Sequence, residues 1–260
     1  MRWARLFTGV AVEASTGVEA RGRVMLIRVS DVQPERVSWL WPGYIPAGKI
    51  TLLDGDPGLG KSNLTLDLAA RVTRGNAMPD GSQGDIMGPA DVILLSAEDG
   101  IADTIRPRLE AAGADLTRVH VLESFPDAEG LETLPEIPDD LNRIERIVDA
   151  RQAALIVIDP LMAYLSAGTN SFRDQDVRRA LAPVKLLAER TGASVLVVRH
   201  LNKSATGSPI YRGGGSIGII GAARAGLLVG TDPDDETGVR RVLATTKAVT
   251  QNKISYTMEA

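Results

Sequence analysis

The sequence predicts an α/β fold: a mostly parallel, twisted sheet flanked by helices and finished by antiparallel strands at the C-terminal end. Three observations lead there. Apolar runs of strand length alternate with stretches of helical spacing along the chain. One run, Lys49 to Asp54, passes straight into a glycine-rich loop and a helix. Two further runs end in Asp159 and His200, and a third runs into Glu98. In open parallel sheets ligands collect beyond those carboxyl ends.

Residues 1–36 lack a sustained period and read as an N-terminal arm, with Arg23 to Val29 as one plausible strand; residues 37–260 read as a single domain. Trp39 and Trp41 stand two residues apart, on one face of any extended segment. They either stack on a base or cover the sheet edge, and packing is the commoner fate of large aromatics. After the glycine-rich loop, Leu64, Leu68 and Val72 recur at helical spacing up to a stop at Gly75. Asp91 to Ser96 reads as a buried strand leading into Ala97-Glu98-Asp99-Gly100, and Ile101 to Ala112 as a helix closed by Gly113.

Arg118 to Leu122 reads as a short strand, its His120 flanked by apolar neighbours, more often packed than a ligand, and assigned no role. Ser124 to Pro138 is a loop rich in proline and acid, after which Asp139 or Asp140 is placed to cap a helix running through Ala150. The strand Ala153 to Asp159 follows, then a loop from Leu161 to Gln175, a helix from Asp176 to Arg190 ended by Gly192, and the strand Ala193 to His200. Leu201 to Ser216 is a polar, glycine-rich loop. Arg224, a strand at Ala225 to Gly230, a turn, a return strand at Val239 to Thr246 and an edge strand within Lys253 to Met258 complete the chain.

At 260 residues, 44% hydrophobic and 24% charged, the composition is that of an ordinary globular protein. No apolar run approaches the roughly 18 to 20 residues a membrane span needs. The segment Thr8 to Gly22 lacks the apolar core of a secretory signal, so no membrane and a cytoplasmic location are expected. With no cysteine there are no disulfides and no thiolate metal ligands, which a reducing compartment permits. The formal charge of -4 does not advertise a nucleic-acid binder. A ring can nevertheless hold a basic lining inside an acidic exterior.

Gly55 to Ser62 fits G-x-x-x-x-G-K-[ST] without a mismatch, and the strand before and helix after it are the context that P-loop requires. Gly55, Asp56, Pro57, Gly58, Leu59, Gly60, Lys61, Ser62 and Asn63 are therefore the expected nucleotide-binding residues. Backbone N–H groups curl around a polyphosphate, and the helix N-terminus adds its dipole. Lys61 is expected at the β/γ-phosphates, with Ser62 and Asp159 holding Mg²⁺. A second carboxylate, Glu98 rather than its neighbour Asp99, is expected to polarise water, a role that hydrolysis needs and simple phosphate binding does not.

These stretches, with Leu155 to Pro160, Val197-Val198-Arg199-His200-Leu201-Asn202-Lys203 and Arg212-Gly213-Gly214-Gly215-Ser216 with Ala222-Ala223-Arg224, resemble the RecA-like P-loop ATPases of the RepA type. That AAA_25-like group is related to hexameric replicative DNA helicases. The resemblance covers Val37 to Met258 and implies an ATP- and Mg²⁺-dependent homo-hexamer with its sites between subunits, acting on single-stranded DNA. It further implies Glu98 as catalytic glutamate, His200 as γ-phosphate sensor, and Arg224 as the arginine reaching a neighbour's site, with Arg212 a second candidate for that arginine or for a phosphate sensor. The loops Leu161 to Gln175 and Leu201 to Ser216 stand where such proteins contact DNA, and Arg173, Lys203, Tyr164 and Tyr211 supply charge and stacking faces there.

Overall fold

The computed structural model describes residues 28–201, 218–249 and 255–258. The chain divides into two compact units, Met1–Val37 and Ser38–Ala260. In the first, a short 3₁₀ turn covers Val29–Asp31, so Val29 opens a turn instead of closing a strand. Residues 23–27 of that expected strand lie outside the described residues.

The second unit opens with a small antiparallel pair, β1 (Trp39–Trp41) and β2 (Ile45–Pro46). Then come β3 (Ile50–Gly55), α1 (Lys61–Arg74), β4 (Asp91–Ser96), α2 (Arg106–Ala111) and β5 (Val119–Val121). A two-stranded excursion, β6 (Phe125–Pro126) with β7 (Glu132–Thr133), occupies the stretch expected to be plain loop. The chain continues as α3 (Leu141–Arg151), β8 (Ala153–Asp159), α4 (Asp174–Thr191), β9 (Ser194–His200), α5 (Gly218–Ala222), β10 (Ala225–Thr231), β11 (Arg241–Lys247) and β12 (Ser255–Met258).

Eight strands form one sheet in the order β12-β11-β10-β3-β9-β8-β4-β5. From β10 to β5 every neighbouring pair is parallel, while β10–β11 and β11–β12 are antiparallel. This is the expected class. The central strands are apolar on both faces because helices cover both. Leu53, Val157, Leu196 and Val198 face α1 and α2, together with Leu64, Leu68 and Leu109. Ile50, Leu52, Ile156, Val195 and Val197 face α3 and α4 with Ile144, Val148, Val177 and Leu181.

Three local expectations are corrected. The helix after Gly100 begins with a π turn over Ile101–Ile105, because the Gly100 carbonyl accepts the amides of both Thr104 and Ile105. Asp140 occupies the N-cap of α3 but does not cap it; its carboxylate instead accepts from the Glu136 amide at 2.9 Å and from Arg143 at 3.1 Å. The loop after β8 folds at once into a 3₁₀ turn, Leu161–Ala163, and α4 starts two residues earlier than the periodicity suggested. Trp41 is fully buried and packs on Tyr44 with ring centroids 4.3 Å apart, so it cannot stack on a base, while Trp39 is half-buried.

Candidate functional site

β3 is flanked by β10 and β9, and its end delivers the loop Asp56 to Gly60 into α1. Gly58 and Gly60 have φ of +79° and +81°, with nothing within 4 Å of a built Cβ, so both must be glycine for backbone reasons rather than for space. Gly55 is the reverse: its φ is ordinary, but a Cβ would meet the Val229 carbonyl oxygen at 2.8 Å and Lys61 Cδ at 3.3 Å. The turn leaves α1 with no side-chain cap at Gly60, so its first amides remain available to an anion.

Lys61 is the first residue of α1 and is 3% exposed. Its Nζ donates to the carbonyls of Gly55 at 2.8 Å and Asp56 at 2.9 Å. Burial pulls its pKa below the usual lysine value, opposed by the carboxylates of Asp159, Asp56, Asp54 and Glu98. The Ser62 hydroxyl hydrogen-bonds Asp159, whose pKa is raised, chiefly by burial and further by Glu98, against the lowering effects of Ser62, His200 and Lys61. Asn63, in the same turn of α1, is exposed.

Register brings the remaining groups to the same edge. Gly55 pairs with His200, and Ser96 with Asp159. His200 Nε2 lies 3.6 Å from Glu98 Oε2, and its Nδ1 is buried with no hydrogen-bond partner among the described residues. Glu98 is 64% exposed at its side chain, whereas Asp99 is held by Arg108 at 3.1 Å. Beside them a cleft lined by Ser62, Thr65, Ser96, Asp99 and Asp159 opens between α1 and the ends of β4 and β8.

This donor set fits Mg²⁺ and a polyphosphate. Magnesium is usually held by one or two carboxylates plus substrate phosphates, not by a dedicated cage. One hydroxyl and one aspartate meet that need, and no group of three or more His, Asp or Glu suited to a metal occurs among the described residues.

Other expected residues lie elsewhere. Arg224 is exposed and immediately precedes β10, whose first residue pairs with Thr51, so it stands at the sheet edge opposite the phosphate loop. It cannot serve its own chain's site. Arg212, Lys203 and Tyr211 lie outside the described residues. Tyr164 is corrected from a DNA-stacking residue to a core residue. It is 1% exposed and packed with Leu161, Val177 and Ile219, while its phenol pKa is pushed up by burial and by Asp159. Phe172 on the same loop is 75% exposed, beside exposed Arg173 and followed by exposed Arg178 and Arg179. The sequence shows Phe172 in that loop beside Arg173, but it was not among the residues expected to contact DNA, though a phenylalanine inside a polar, arginine-bearing loop was the available signal. His120 also does more than pack, since its Nε2 lies 2.9 Å from Asp91, which Arg118 holds as well.

The Asp54–Arg199 ion pair was missed too. The two side chains meet face to face on β3 and β9, with Nε to Oδ1 at 2.7 Å and Nη2 to Oδ2 at 2.8 Å, both buried. The only sequence signal was a charge just before the end of each apolar run.

Comparison with known proteins agrees with this geometry. A family model described as an AAA domain, AAA_25, matches residues 18–206, most of the chain. Relatives named DNA repair protein RadA align from Halalkalibacterium halodurans at 26% identity over 66% of this chain, and from Bacillus subtilis at 24% over 62%. The RadA protein of Listeria monocytogenes aligns at 26% over 68%. The alignments cover 32%, 30% and 33% of those proteins, so the chain matches about a third of each relative's length.

Proposed function

The chain belongs to the AAA_25 family of AAA domains, and on that premise we propose that it is a Mg²⁺-dependent ATPase acting on single-stranded DNA as a ring oligomer. The RecA-like P-loop fold is common ground for the family and the sheet described above. The observation that carries the ATPase reading is the meeting of Lys61, Ser62, Asp159, Glu98 and His200 at one edge of four adjacent strands.

In this reading the amides of Gly58 to Asn63 and the α1 N-terminus bind the phosphates, and Lys61 adds a cation whose burial leaves it poorly solvated and ready for an anionic partner. Ser62 and Asp159 would hold Mg²⁺, which when bound neutralises charge on the phosphates. Glu98 is the water-polarising carboxylate, since Asp99 is committed to Arg108. His200 stands between the loop and Glu98, as a residue reporting the terminal phosphate must. Arg224, remote from its own site, completes a neighbour's in a ring. Such a trans arginine is worth about 10³ to 10⁵ in turnover.

DNA as partner rests on the relatives' name and on Phe172, Arg173, Arg178 and Arg179, which offer a stacking face beside charge. The finer assignment, a RepA-type replicative helicase working as a hexamer in the cytoplasm, requires strand separation as well as hydrolysis. The described residues contain no helix long and apolar enough to cross a membrane.

The deciding experiment measures phosphate release against protein concentration, with and without single-stranded DNA. Turnover per chain is expected to rise with concentration and with DNA, and the DNA effect to weaken as salt rises. Oligomers that bind ATP without releasing phosphate would make this an assembly module. Hydrolysis indifferent to DNA at low salt would make it an ATPase that remodels another partner.

A further inference from the structure

Resting on the ATPase reading of this site, we propose that Asp54 and Arg199 are a positioning pair that locks the register between β3 and β9, and so fixes the phosphate loop against His200.

The hydrophobic pattern does not fix that register. Ile50, Leu52, Val195 and Val197 face one side of the sheet, and Leu53, Leu196 and Val198 the other. Sliding β9 by two residues would return every side chain to its own face, and a parallel ladder re-forms its evenly spaced bonds after such a step. The slide would carry His200 about 6.6 Å from its place beside Gly55. Thr51 in this ladder and Ser194 at the start of β9 carry buried hydroxyls that make no hydrogen bond among the described residues and so specify nothing.

The Asp54–Arg199 pair does specify. Both oxygens of the carboxylate are engaged by the guanidinium fork, and Arg199 is 1% exposed. A slipped register would leave two buried charges without partners, which is strongly destabilising, whereas the apolar contacts re-form on the same faces. A buried pair of this kind rarely adds net stability over well-packed apolar residues, and its best-attested use is the choice of one register over another.

The lock lies one residue from the chemistry. Asp54 is followed by Gly55 and Arg199 by His200, and those two are the next pair in register. The Gly55 carbonyl accepts both the Leu201 amide at 3.2 Å and the Lys61 ammonium at 2.8 Å. A shift of β9 therefore disturbs the acceptor that anchors Lys61 as well as the place of His200. Arg199 also occupies both oxygens of the Asp54 carboxylate, which precedes the phosphate loop by one residue.

The test uses the full chain carrying Asp54→Leu together with Arg199→Met, which keeps the volume and removes both charges. The lock predicts a folded protein that unfolds at or above the wild-type temperature. It also predicts faster amide exchange at Leu201 than in wild type, a KM for ATP within about threefold, and a kcat lowered at least tenfold. Arg199→Lys, which keeps the charge but not the fork, is expected between the two. Wild-type exchange at Leu201 overturns the proposal whatever the rate does. So does faster exchange with an unchanged kcat, and so does failure of the double variant to fold, which would make the pair a plain structural requirement. Should wild-type protein release no phosphate, the ATPase reading falls by itself, and exchange at Leu201 alone decides the lock.

Discussion

Alanine at Gly55 is the smallest change that reaches the phosphate loop through sterics alone. Its methyl would stand 2.8 Å from the Val229 carbonyl oxygen and 3.3 Å from Lys61 Cδ. The lysine can swing aside, but the carbonyl belongs to β10, which pairs with β3 residue by residue from Ala225–Thr51 to Val229–Gly55. On the opposite flank, His200 of β9 holds Gly55 in place. Neither neighbour can withdraw without parting a ladder, so the overpacking cost is about 1–3 kcal/mol. That is roughly a 5- to 150-fold loss in the folding equilibrium. Urea unfolding should show a lower midpoint with unchanged slope, because the surface exposed on unfolding is the same. Nucleotide affinity should fall as well, since moving Cδ draws the ammonium away from Gly55 and Asp56. Gly60→Ala is the control. It meets nothing within 4 Å, and its cost of about 1–2 kcal/mol comes from a left-handed backbone at φ +81°. An alanine at position 55 that unfolds at the wild-type urea concentration would refute the steric reasoning.

Asp159→Asn is expected to stabilise the nucleotide-free chain while abolishing Mg²⁺-dependent hydrolysis. Burial raises the Asp159 pKa, so the folded state keeps that proton to higher pH than the unfolded state, and stability falls as pH rises through the folded pKa. Melting temperatures should therefore favour the variant at neutral pH, and the gap should close as pH is lowered to about 4. Glu98→Gln should keep nucleotide affinity and lose about 10² to 10⁴ in turnover; an unchanged rate in a phosphate-release assay would remove Glu98 from the chemistry. Phe172→Ala should weaken binding to labelled single-stranded DNA by about 1–3 kcal/mol, whereas Tyr164→Phe should leave it unchanged because that ring is buried. Mixing Arg224→Ala chains with Glu98→Gln chains should restore part of the activity neither has alone, if the arginine acts across a subunit boundary; additive, unrescued rates would confine it to a structural role.

Local grammar made the loop and the placement of the strand-end residues beside it legible. A strand, a run of glycines at fixed offsets and a helix are contiguous in sequence, and an aspartate closing an apolar run is visible wherever it occurs. Lys61, Ser62, Asp159, Glu98 and His200 could be read for that reason, and the sheet class followed from the alternation. What escaped was non-local. Asp54 and Arg199 are 145 residues apart and become a pair only once β3 and β9 are neighbours, which no periodicity reveals. Tyr164 looked like a loop aromatic because it comes five positions after the strand end at Asp159, yet the 3₁₀ turn Leu161–Ala163 folds it back into the core. Asp140 sat in the right place for a cap, but the Glu136 amide competes for the same carboxylate.

The strand order explains why both sides of β3 matter. To one side, β9, β8 and β4 bring His200, Asp159 and Glu98 in turn to the edge where the loop emerges. To the other, β10 runs parallel to β3 but carries its arginine before its first residue, at the far edge. There Lys247 donates to the Ala223 carbonyl at 2.5 Å and to that of Ile220 at 2.9 Å, and burial, with a smaller contribution from the neighbouring Arg224, lowers its pKa. Of these two cations, Lys247 is engaged by carbonyls and Arg224 is exposed, with no carboxylate paired to either among the described residues. Placing the phosphates of an adjacent chain against that edge would supply an anionic partner. In the proposed ring, the parallel sheet would assemble one half of the chemistry inside the chain and offer the other half to a neighbour.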